Sequence, residues 1–310
     1  MMAGIVKPER EQAMSKSFDQ LSLALEEVIA EAAPSVVRVE ARQRLPATGI
    51  VWTADGYIVT ANHIVETDED IHIGLDDGKV IPASVVGRDP ATDLLVLRAE
   101  SDGLTVPEWT AAGELKAGAL AVAAGRPYQN VEVSVGSLSA VGGPWRTREG
   151  GRLDTYLRPE ITMYPGFSGG PLVVAGSKFA GLNTSGLLHH ADTTICAQTL
   201  KRIVETLVTH GRIPRGYLGV GVQPVRISAS QAGAAGSEIG LMVMSVEENS
   251  PAESAGVRQG DILVALGEYT TAAVGDLRQA LSSTDAEGVV NLRVIRSNEI
   301  VELPAKLELR

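Results

Sequence analysis

The chain has 310 residues, with 33 glycines, 15 prolines and one cysteine, and its formal net charge at pH 7 is -11. This length suits two domains, and the many Gly and Pro residues between short apolar runs favour β-strands joined by tight turns. The acidic balance argues against a nucleic-acid-binding protein, because phosphate recognition needs clustered Lys and Arg. The single cysteine, Cys196, excludes an internal disulfide, and within an apolar strand it is interpreted as a small hydrophobic residue.

Residues 1–33 are predicted to form an N-terminal extension that carries an amphipathic helix. The apolar residues of this helix recur at helical spacing: Leu21, Leu25, Val28 and Ile29. Ser17 is the candidate N-cap, and Pro34 is expected to end the helix. Two roles are open for this helix, packing on its own domain or contact with another subunit.

The compartment is predicted from the N-terminus and from hydropathy. The first dozen residues carry several charges and lack the apolar core of a signal peptide, and no apolar run long enough to cross a membrane occurs. The expected location is therefore the cytoplasm, or an extracytoplasmic compartment if an upstream leader has been removed.

Residues 34–211 contain short β runs that predict two closed antiparallel barrels. The strands predicted for the first barrel are 36–41, 49–53, 57–61, 80–88, 94–99 and 120–124. Those predicted for the second barrel are 131–135, 153–157, 171–174 and 179–182. A helix over 199–210 is expected to close this region, and residues 212–310 are expected to form a separate small α+β domain.

Three residues have the chemistry of a nucleophilic hydrolase. Ser168 lies in a Gly-rich turn, where small neighbours let a substrate carbonyl approach its hydroxyl. Serine needs a base to take its proton, and His63 follows a strand-like segment. The base needs a carboxylate to orient it, and Asp93 lies at the start of an apolar strand. Each residue alone is explained more simply as a structural histidine, a turn residue or a cap, whereas their joint order favours a catalytic triad.

Three segments resemble the triad motifs of the HtrA/Deg serine proteases, namely residues 60–65, 92–97 and 165–172. The resemblance covers about residues 20–310. It implies a mostly β chain, with a chymotrypsin-like double β-barrel protease domain over 34–211 followed by a small α+β PDZ domain over 212–310. It implies serine-type endopeptidase activity through an acyl-enzyme, with no cofactor and no metal. The chain departs from the family at Phe167, where Asn or Asp is usual, and also at Glu160 and Gln198.

The resemblance also implies an oxyanion hole and a specificity pocket. The backbone N–H groups of Gly166, Phe167 and Ser168 are expected to hold the oxyanion. The residues expected to line the specificity pocket are Thr162, Met163, Tyr164, Thr194, Ile195 and Cys196. Since no acidic residue is evident at the base of that pocket, cleavage is expected after small or medium aliphatic residues. The pair His189-His190 is interpreted as a solvated loop and not as a metal site, because no further Cys or His lies near it.

Residues 215–220 resemble the carboxylate-binding loop of HtrA-type PDZ domains, and residues 250–263 resemble a second PDZ motif. A peptide would add a strand to the sheet edge and place its last side chain against a helix. The residues implied in this peptide groove are Tyr217, Leu218, Gly219, Val220, Val274, Leu277 and Leu281. Leu277 is expected to serve the core as well.

The leading hypothesis is an ATP-independent endopeptidase that cleaves unfolded or misfolded proteins in protein quality control and binds C-terminal peptides at its PDZ domain. The family resemblance further implies a homotrimer or higher homo-oligomer, whereas charge and hydropathy predict no nucleic-acid partner and no membrane segment in this chain. The alternative is a proteolytically silent PDZ protein with a binding or chaperone role. An esterase with the same triad is a third hypothesis, which the PDZ domain does not favour.

Overall fold

A computed structural model describes residues 9–43, 45–188, 191–283 and 288–309. The chain divides into two compact units. The first comprises Met1–Trp145 and Leu153–Gly211, and the second comprises Arg146–Arg152 and Arg212–Arg310. Every residue of the candidate triad belongs to the first unit.

The N-terminal helix α1 spans Glu9–Ala32 and is longer than predicted. Ser17 therefore lies inside the helix and not at its N-cap. Residues 9–16 extend the helix because Glu, Arg, Gln, Ala, Met and Lys are strong helix formers. A 3-10 turn over Ala33–Ser35, with Pro34 inside it, leads from the helix to the first strand.

The first barrel is closed and has six strands. They are β1 (Val36–Glu40), β2 (Ala47–Val51), β3 (Tyr57–Ala61), β4 (Ile71–Gly74), β5 (Val80–Asp89) and β6 (Leu94–Ala99). Their order around the barrel is β1-β2-β3-β6-β5-β4. The four-residue strand β4 was not predicted, and the run at 120–124 belongs to the second barrel. An apolar run indicates a buried strand but not its partner.

The next part of the chain forms the strands β7 (Leu120–Gly125), β8 (Glu132–Gly142), β9 (Trp145–Arg146), β10 (Arg152–Leu153), β11 (Tyr156–Glu160), β12 (Pro171–Val174), β13 (Lys178–Leu188) and β14 (Ala191–Cys196). Six of them close the second barrel, in the order β11-β14-β13-β12-β7-β8. The strand predicted over 153–157 is replaced by β10 and β11. Helix α2 (Ala197–His210) follows. Gly211 caps its C-terminus with a φ of 72°, which favours glycine.

The second unit is a small α+β domain. Its strands are β15 (Gly216–Tyr217), β16 (Val220–Arg226), β17 (Ile239–Val246), β18 (Ile262–Leu266), β19 (Tyr269–Thr270), β20 (Val289–Arg296), β21 (Glu299–Lys306) and β22 (Glu308–Leu309). Its helices are α3 (Ala229–Ala235), α4 (Pro251–Ser254) and α5 (Val274–Ser283). The main sheet has the order β16-β17-β18-β20-β21, so β16 lies at an edge. The two barrels and this domain confirm the predicted fold class.

Candidate active site

His63 and Asp93 lie side by side at one end of the first barrel. His63 occupies a 3-10 turn, Asn62–Ile64, that directly follows β3, and Asp93 precedes β6, the strand paired with β3. The backbone N–H of His63 donates to Asp93 Oδ1 at 2.8 Å, and His63 Nδ1 lies 2.7 Å from Asp93 Oδ2. This pairing leaves Nε2 as the ring nitrogen available to a third group.

The turn before β6 holds Asp93 in a conformation that most residues avoid. Its φ is 54°, in the left-handed region that Asp tolerates better than most non-glycine residues. Asp89 stabilises this turn through its carboxylate, which accepts hydrogen bonds from the Ala91 N–H and from the Thr92 hydroxyl. The Asp93 side chain is only 5% exposed, so its carboxylate is shielded from bulk water.

The second barrel supplies two residues to the His–Asp pair that sequence reasoning missed. The hydroxyl of Thr184, on β13, donates to Asp93 Oδ2. A Cβ atom at Gly186 would lie 2.6 Å from Asp93 Oδ2 and 2.7 Å from His63 Nδ1, so only glycine leaves room for the pair. The buried carboxylate therefore has hydrogen-bond partners from both barrels, which fix its orientation.

Ser168 lies in a tight turn that leads into β12. Gly169 has a φ of 90° and lies directly against the Thr48 carbonyl, and Gly170 lies against the Ala124 carbonyl, so a side chain at either position would clash. Two hydrogen bonds with Asn183 hold the turn, from the Gly169 N–H to the Asn183 carbonyl and from the Asn183 N–H to the Gly170 carbonyl. These contacts explain the Gly-rich motif physically.

The loop before Ser168 presents two free backbone donors. The Gly166 and Ser168 N–H groups have no hydrogen-bond acceptor within the described part of the chain. Phe167 was predicted to supply a third backbone donor, and the structure corrects this prediction. Its N–H donates to the Tyr164 carbonyl at 3.0 Å and closes a turn in which Gly166 has a φ of 92°.

The side chain of Phe167 is completely buried and makes no polar contribution to the site. Its ring packs edge-on against Tyr164, with centroids 5.5 Å apart, and covers Gly125 so closely that a Cβ there would lie 2.5 Å from Cδ1. Phe167 thus joins the core of the second barrel with Leu157 and Cys196. The Phe167 side chain therefore contributes packing to this barrel.

Thr48, on β2 of the first barrel, forms hydrogen bonds with the same loop. Sequence reasoning did not predict this role either. Its hydroxyl donates to the Gly166 carbonyl at 2.7 Å and accepts from the Arg126 N–H at 2.8 Å. Its backbone N–H donates to the Ser168 carbonyl. The carbonyl groups of Gly166 and Ser168, the residues on either side of Phe167, are therefore both anchored to the first barrel.

The Ser168 hydroxyl lies 3.3 Å from the hydroxyl of Ser185. Among the described residues, no hydrogen bond joins Ser168 Oγ to the His63 ring, although both residues line one cleft. Hydrogen bonds between a nucleophile and its base are often long in the absence of substrate and shorten in its complex.

The cleft beside Ser168 has a volume of about 480 Å³, in the range of ligand-binding sites. Met163 and Tyr164 line it as predicted, whereas Thr162 is exposed and does not. Thr194, Ile195 and Cys196 are almost fully buried, and they lie on β14, which pairs with β11 on one side and β13 on the other. Those three residues support the cleft and do not line it.

Other residues that line the cleft were not predicted from sequence. They include Arg42, Asn183, Thr184, Ser185 and Asp192. Sequence reasoning expected no acidic residue at the base of the specificity pocket and did not identify Asp192, which lies on the wall of this cleft. Burial raises the pKa of the Asp192 carboxyl. The pair His189-His190 lies outside the described residues. Within the described residues, no group of three His, Cys, Asp or Glu side chains could hold a metal ion.

The second unit contains a loop with the features of a carboxylate site. Gly219 has a φ of 81°, and its α-carbon lies so close to Ser250 that a side chain would clash. The N–H groups of Leu218 and Gly219 have no acceptor within the described part of the chain. Tyr217, at the start of this loop, donates its hydroxyl proton to Glu247.

The side chains predicted for the peptide groove divide into two groups. Leu218 and Leu277 are 2% and 4% exposed and belong to the domain core, so they support the groove and do not line it. Val220, Val274 and Leu281 are only partly buried against that core. Val220 opens the edge strand β16, where a peptide strand could pair.

Comparisons with known proteins agree with both units. Residues 47–182 match the trypsin-like peptidase domain, and residues 216–307 match the PDZ domain. A probable periplasmic serine endoprotease DegP-like of Chlamydia pneumoniae is 31% identical over 271 residues, which are 86% of this chain and 55% of that protein. The serine endoprotease DegS of Haemophilus influenzae is 28% identical over 269 residues, which are 84% of this chain and 76% of that protein.

Among solved structures, the HtrA-type protease AlgW with tripeptide is 26% identical to this chain with a TM-score of 0.65, and the match covers 91% of this chain and 96% of that one. The chain spans about 55% of the length of the first DegP-like relatives. No helix in the described residues is long and apolar enough to cross a membrane.

Proposed function

Since the chain belongs to the HtrA/Deg family of serine proteases, we propose that it is a serine endopeptidase with His63, Asp93 and Ser168 as its catalytic triad. The observation that carries this proposal is the pairing of His63 with the buried Asp93, at the cleft into which the Gly-rich turn brings Ser168. The two free N–H groups of Gly166 and Ser168 support it further.

The proposed chemistry proceeds in two halves. Ser168 Oγ attacks the peptide carbonyl carbon while His63 Nε2 takes its proton, and the tetrahedral oxyanion accepts hydrogen bonds from the Gly166 and Ser168 N–H groups. His63 then protonates the leaving amine, and the C–N bond breaks to give an acyl-enzyme. A water molecule, deprotonated by His63, attacks the ester, and the acid product leaves as Ser168 recovers its proton. Asp93 keeps the proton on Nδ1 throughout.

Substrates and assembly belong to the same proposal. The chain would cleave unfolded or misfolded proteins without ATP or a cofactor and bind C-terminal peptides at the Gly219 loop and β16. A homotrimer through the protease unit and the apolar stripe of α1 agrees with the family. The relatives named periplasmic favour the extracytoplasmic alternative over the cytoplasm.

One observation favours the second candidate, a silent PDZ protein with a binding or chaperone role. The Ser168 hydroxyl is hydrogen-bonded to Ser185 in this structure and not to the His63 ring. A protein that kept this arrangement when bound to substrate would lack a base for its nucleophile.

A fluorophosphonate probe and an unfolded protein substrate separate the two candidates. The wild type should label and cleave, and Ser168→Ala should do neither. Ser185→Ala is the matched control, since it removes the neighbouring hydroxyl and should leave labelling in place at Ser168. A wild type that neither labels nor cleaves, with and without C-terminal peptides, would leave the silent protein as the conclusion.

A further inference from the structure

Asp192 occupies a position on the cleft wall that the proposed chemistry does not use. It lies on β14, two residues before Thr194, so both side chains project from the same face of the strand. The Thr194 hydroxyl donates to Asn183 Oδ1 at 2.8 Å, and Asn183 lines the cleft together with Ser168 and Asp192. The strand register therefore directs the Asp192 carboxylate to the space beside the nucleophile.

The Asp192 carboxylate is partly buried and has no counter-charge of its own. Within the described residues, no Lys, Arg or His forms an ion pair with it, and no donor forms a hydrogen bond to it. Burial without a partner raises the pKa of this carboxyl, because the charged form loses water and gains nothing in return. A cation beside Asp192 would stabilise the charged form.

The other charged groups of the cleft come from the first barrel. The Arg42 Nε donates to the Leu45 carbonyl at 2.8 Å, within the loop between β1 and β2, and the His63 ring is held by Asp93. Neither group is an ion-pair partner of Asp192. Among the residues that the structure describes, the Asp192 carboxylate on this wall of the cleft therefore has no charge partner.

The position of a substrate follows from the donors that would hold its carbonyl. With the oxyanion at the Gly166 and Ser168 N–H groups, the residue that supplies the carbonyl has its α-carbon next to Ser168. Its side chain then enters the space flanked by residues 163–166, by residues 183–185 and by Asp192. This is the side chain that precedes the scissile bond.

We propose that Asp192 determines specificity and selects substrates with Lys or Arg immediately before the scissile bond. The inference rests on the proposed endopeptidase function and replaces the sequence-based expectation of aliphatic side chains. An acidic group in the pocket for this side chain gives a protease its preference for basic residues, because an ammonium or guanidinium ion is paired only there.

The test compares peptides that differ only in the residue before the scissile bond, which is Lys, norleucine or Val. Norleucine keeps the length of the Lys stem without the charge. The wild type should favour Lys over norleucine in kcat/KM by about tenfold or more, and Asp192→Asn should lose most of that ratio. Asp102→Asn, which neutralises an exposed acid elsewhere, should keep it. Equal fluorophosphonate labelling of all three proteins shows that the nucleophile and the fold are intact.

A binding measurement separates failure of this inference from failure of the proposed function. Benzamidine, a flat amidinium ion, should bind Ser168→Ala and lose at least tenfold in affinity in the double variant Ser168→Ala, Asp192→Asn. This result supports the Asp192 site even if the wild type cleaves nothing. A wild type that labels but prefers norleucine or Val, or benzamidine affinity that is unchanged by Asp192→Asn, would overturn the inference and leave the protease proposal standing.

Discussion

Thr48→Val removes one buried hydroxyl and keeps the volume of the side chain. Thr48 is completely buried, and its hydroxyl is the partner of both the Gly166 carbonyl and the Arg126 N–H. In the valine variant both groups lose their hydrogen bond, and a methyl group prevents water from replacing it. The loop that presents the Gly166 N–H then loses its anchor at the Gly166 carbonyl, whereas the bond from the Thr48 N–H to the Ser168 carbonyl remains.

The expected cost follows from the two orphaned groups. A buried donor or acceptor without a partner costs about 1–3 kcal/mol. Because the Gly166 side of the contact is only partly buried, we expect the free energy of unfolding to fall by about 2–4 kcal/mol in total. We also expect fluorophosphonate labelling to slow by about tenfold or more, which corresponds to about 1.4 kcal/mol of transition-state stabilisation.

Thr48→Ser is the matched control, since it keeps the hydroxyl and loses one methyl group, at a cost of about 1 kcal/mol. Urea unfolding followed by tryptophan fluorescence reports on the first unit, because Trp52, Trp109 and Trp145 all lie there. If the valine and serine variants unfold at the same urea concentration and label at the same rate, the assigned role of the hydroxyl is wrong.

Two further predictions follow from the contacts of Gly186 and Asp261. Gly186→Ala should reduce kcat/KM by about 10²–10⁴, because the added methyl group displaces the His63–Asp93 pair. Gly143→Ala is the control and should leave kcat/KM unchanged, because a methyl group there meets nothing within 4 Å. Normal activity of Gly186→Ala would contradict the expected clash. Burial opposes ionisation of Asp261, but hydrogen bonds from Arg296 and the Arg258 N–H outweigh it and lower the pKa of Asp261. The unfolded chain therefore binds the proton first, so the second unit should lose stability as the pH falls below about 4. Hydrogen exchange of residues 239–246 should show this loss in the wild type and in Glu238→Gln, and a smaller one in Asp261→Asn, in which the titrating carboxyl is absent.

The His63 and Asp93 neighbourhoods were predictable because their chemistry is local. Asp89, Ala91 and Thr92 form a turn within five residues, and the strand after it could be recognised from its continuous apolar run. The Gly-rich turn at Ser168 is local in the same sense. Even so, the roles of these residues as a triad stay a prediction until the nucleophile is labelled.

The role of Phe167 could not be predicted from the neighbouring residues in the sequence. Its position in the motif suggested a third backbone donor, but donor availability depends on the turn that the Tyr164 carbonyl closes. The ring is buried because Gly125, on a different strand, leaves space for it. A sequence motif indicates the residue types around a nucleophile, but it does not indicate which N–H groups remain unpaired.

The sequence alone therefore determined the mostly β barrels, the separate α+β domain after them and the candidate triad, because these follow from residue patterns over short stretches of chain. The PDZ identity of the last domain came from the resemblance of its motifs to a known family. Only the tertiary structure decided the roles of Thr184 and Thr48, which bond to groups 91 and 118 residues away, and the presence of Asp192 in the cleft. The physical reason is that a buried strand has the same apolar pattern whichever strands lie beside it. What faces a given side chain, and hence its charge partners and its function, depends on strand register and barrel closure.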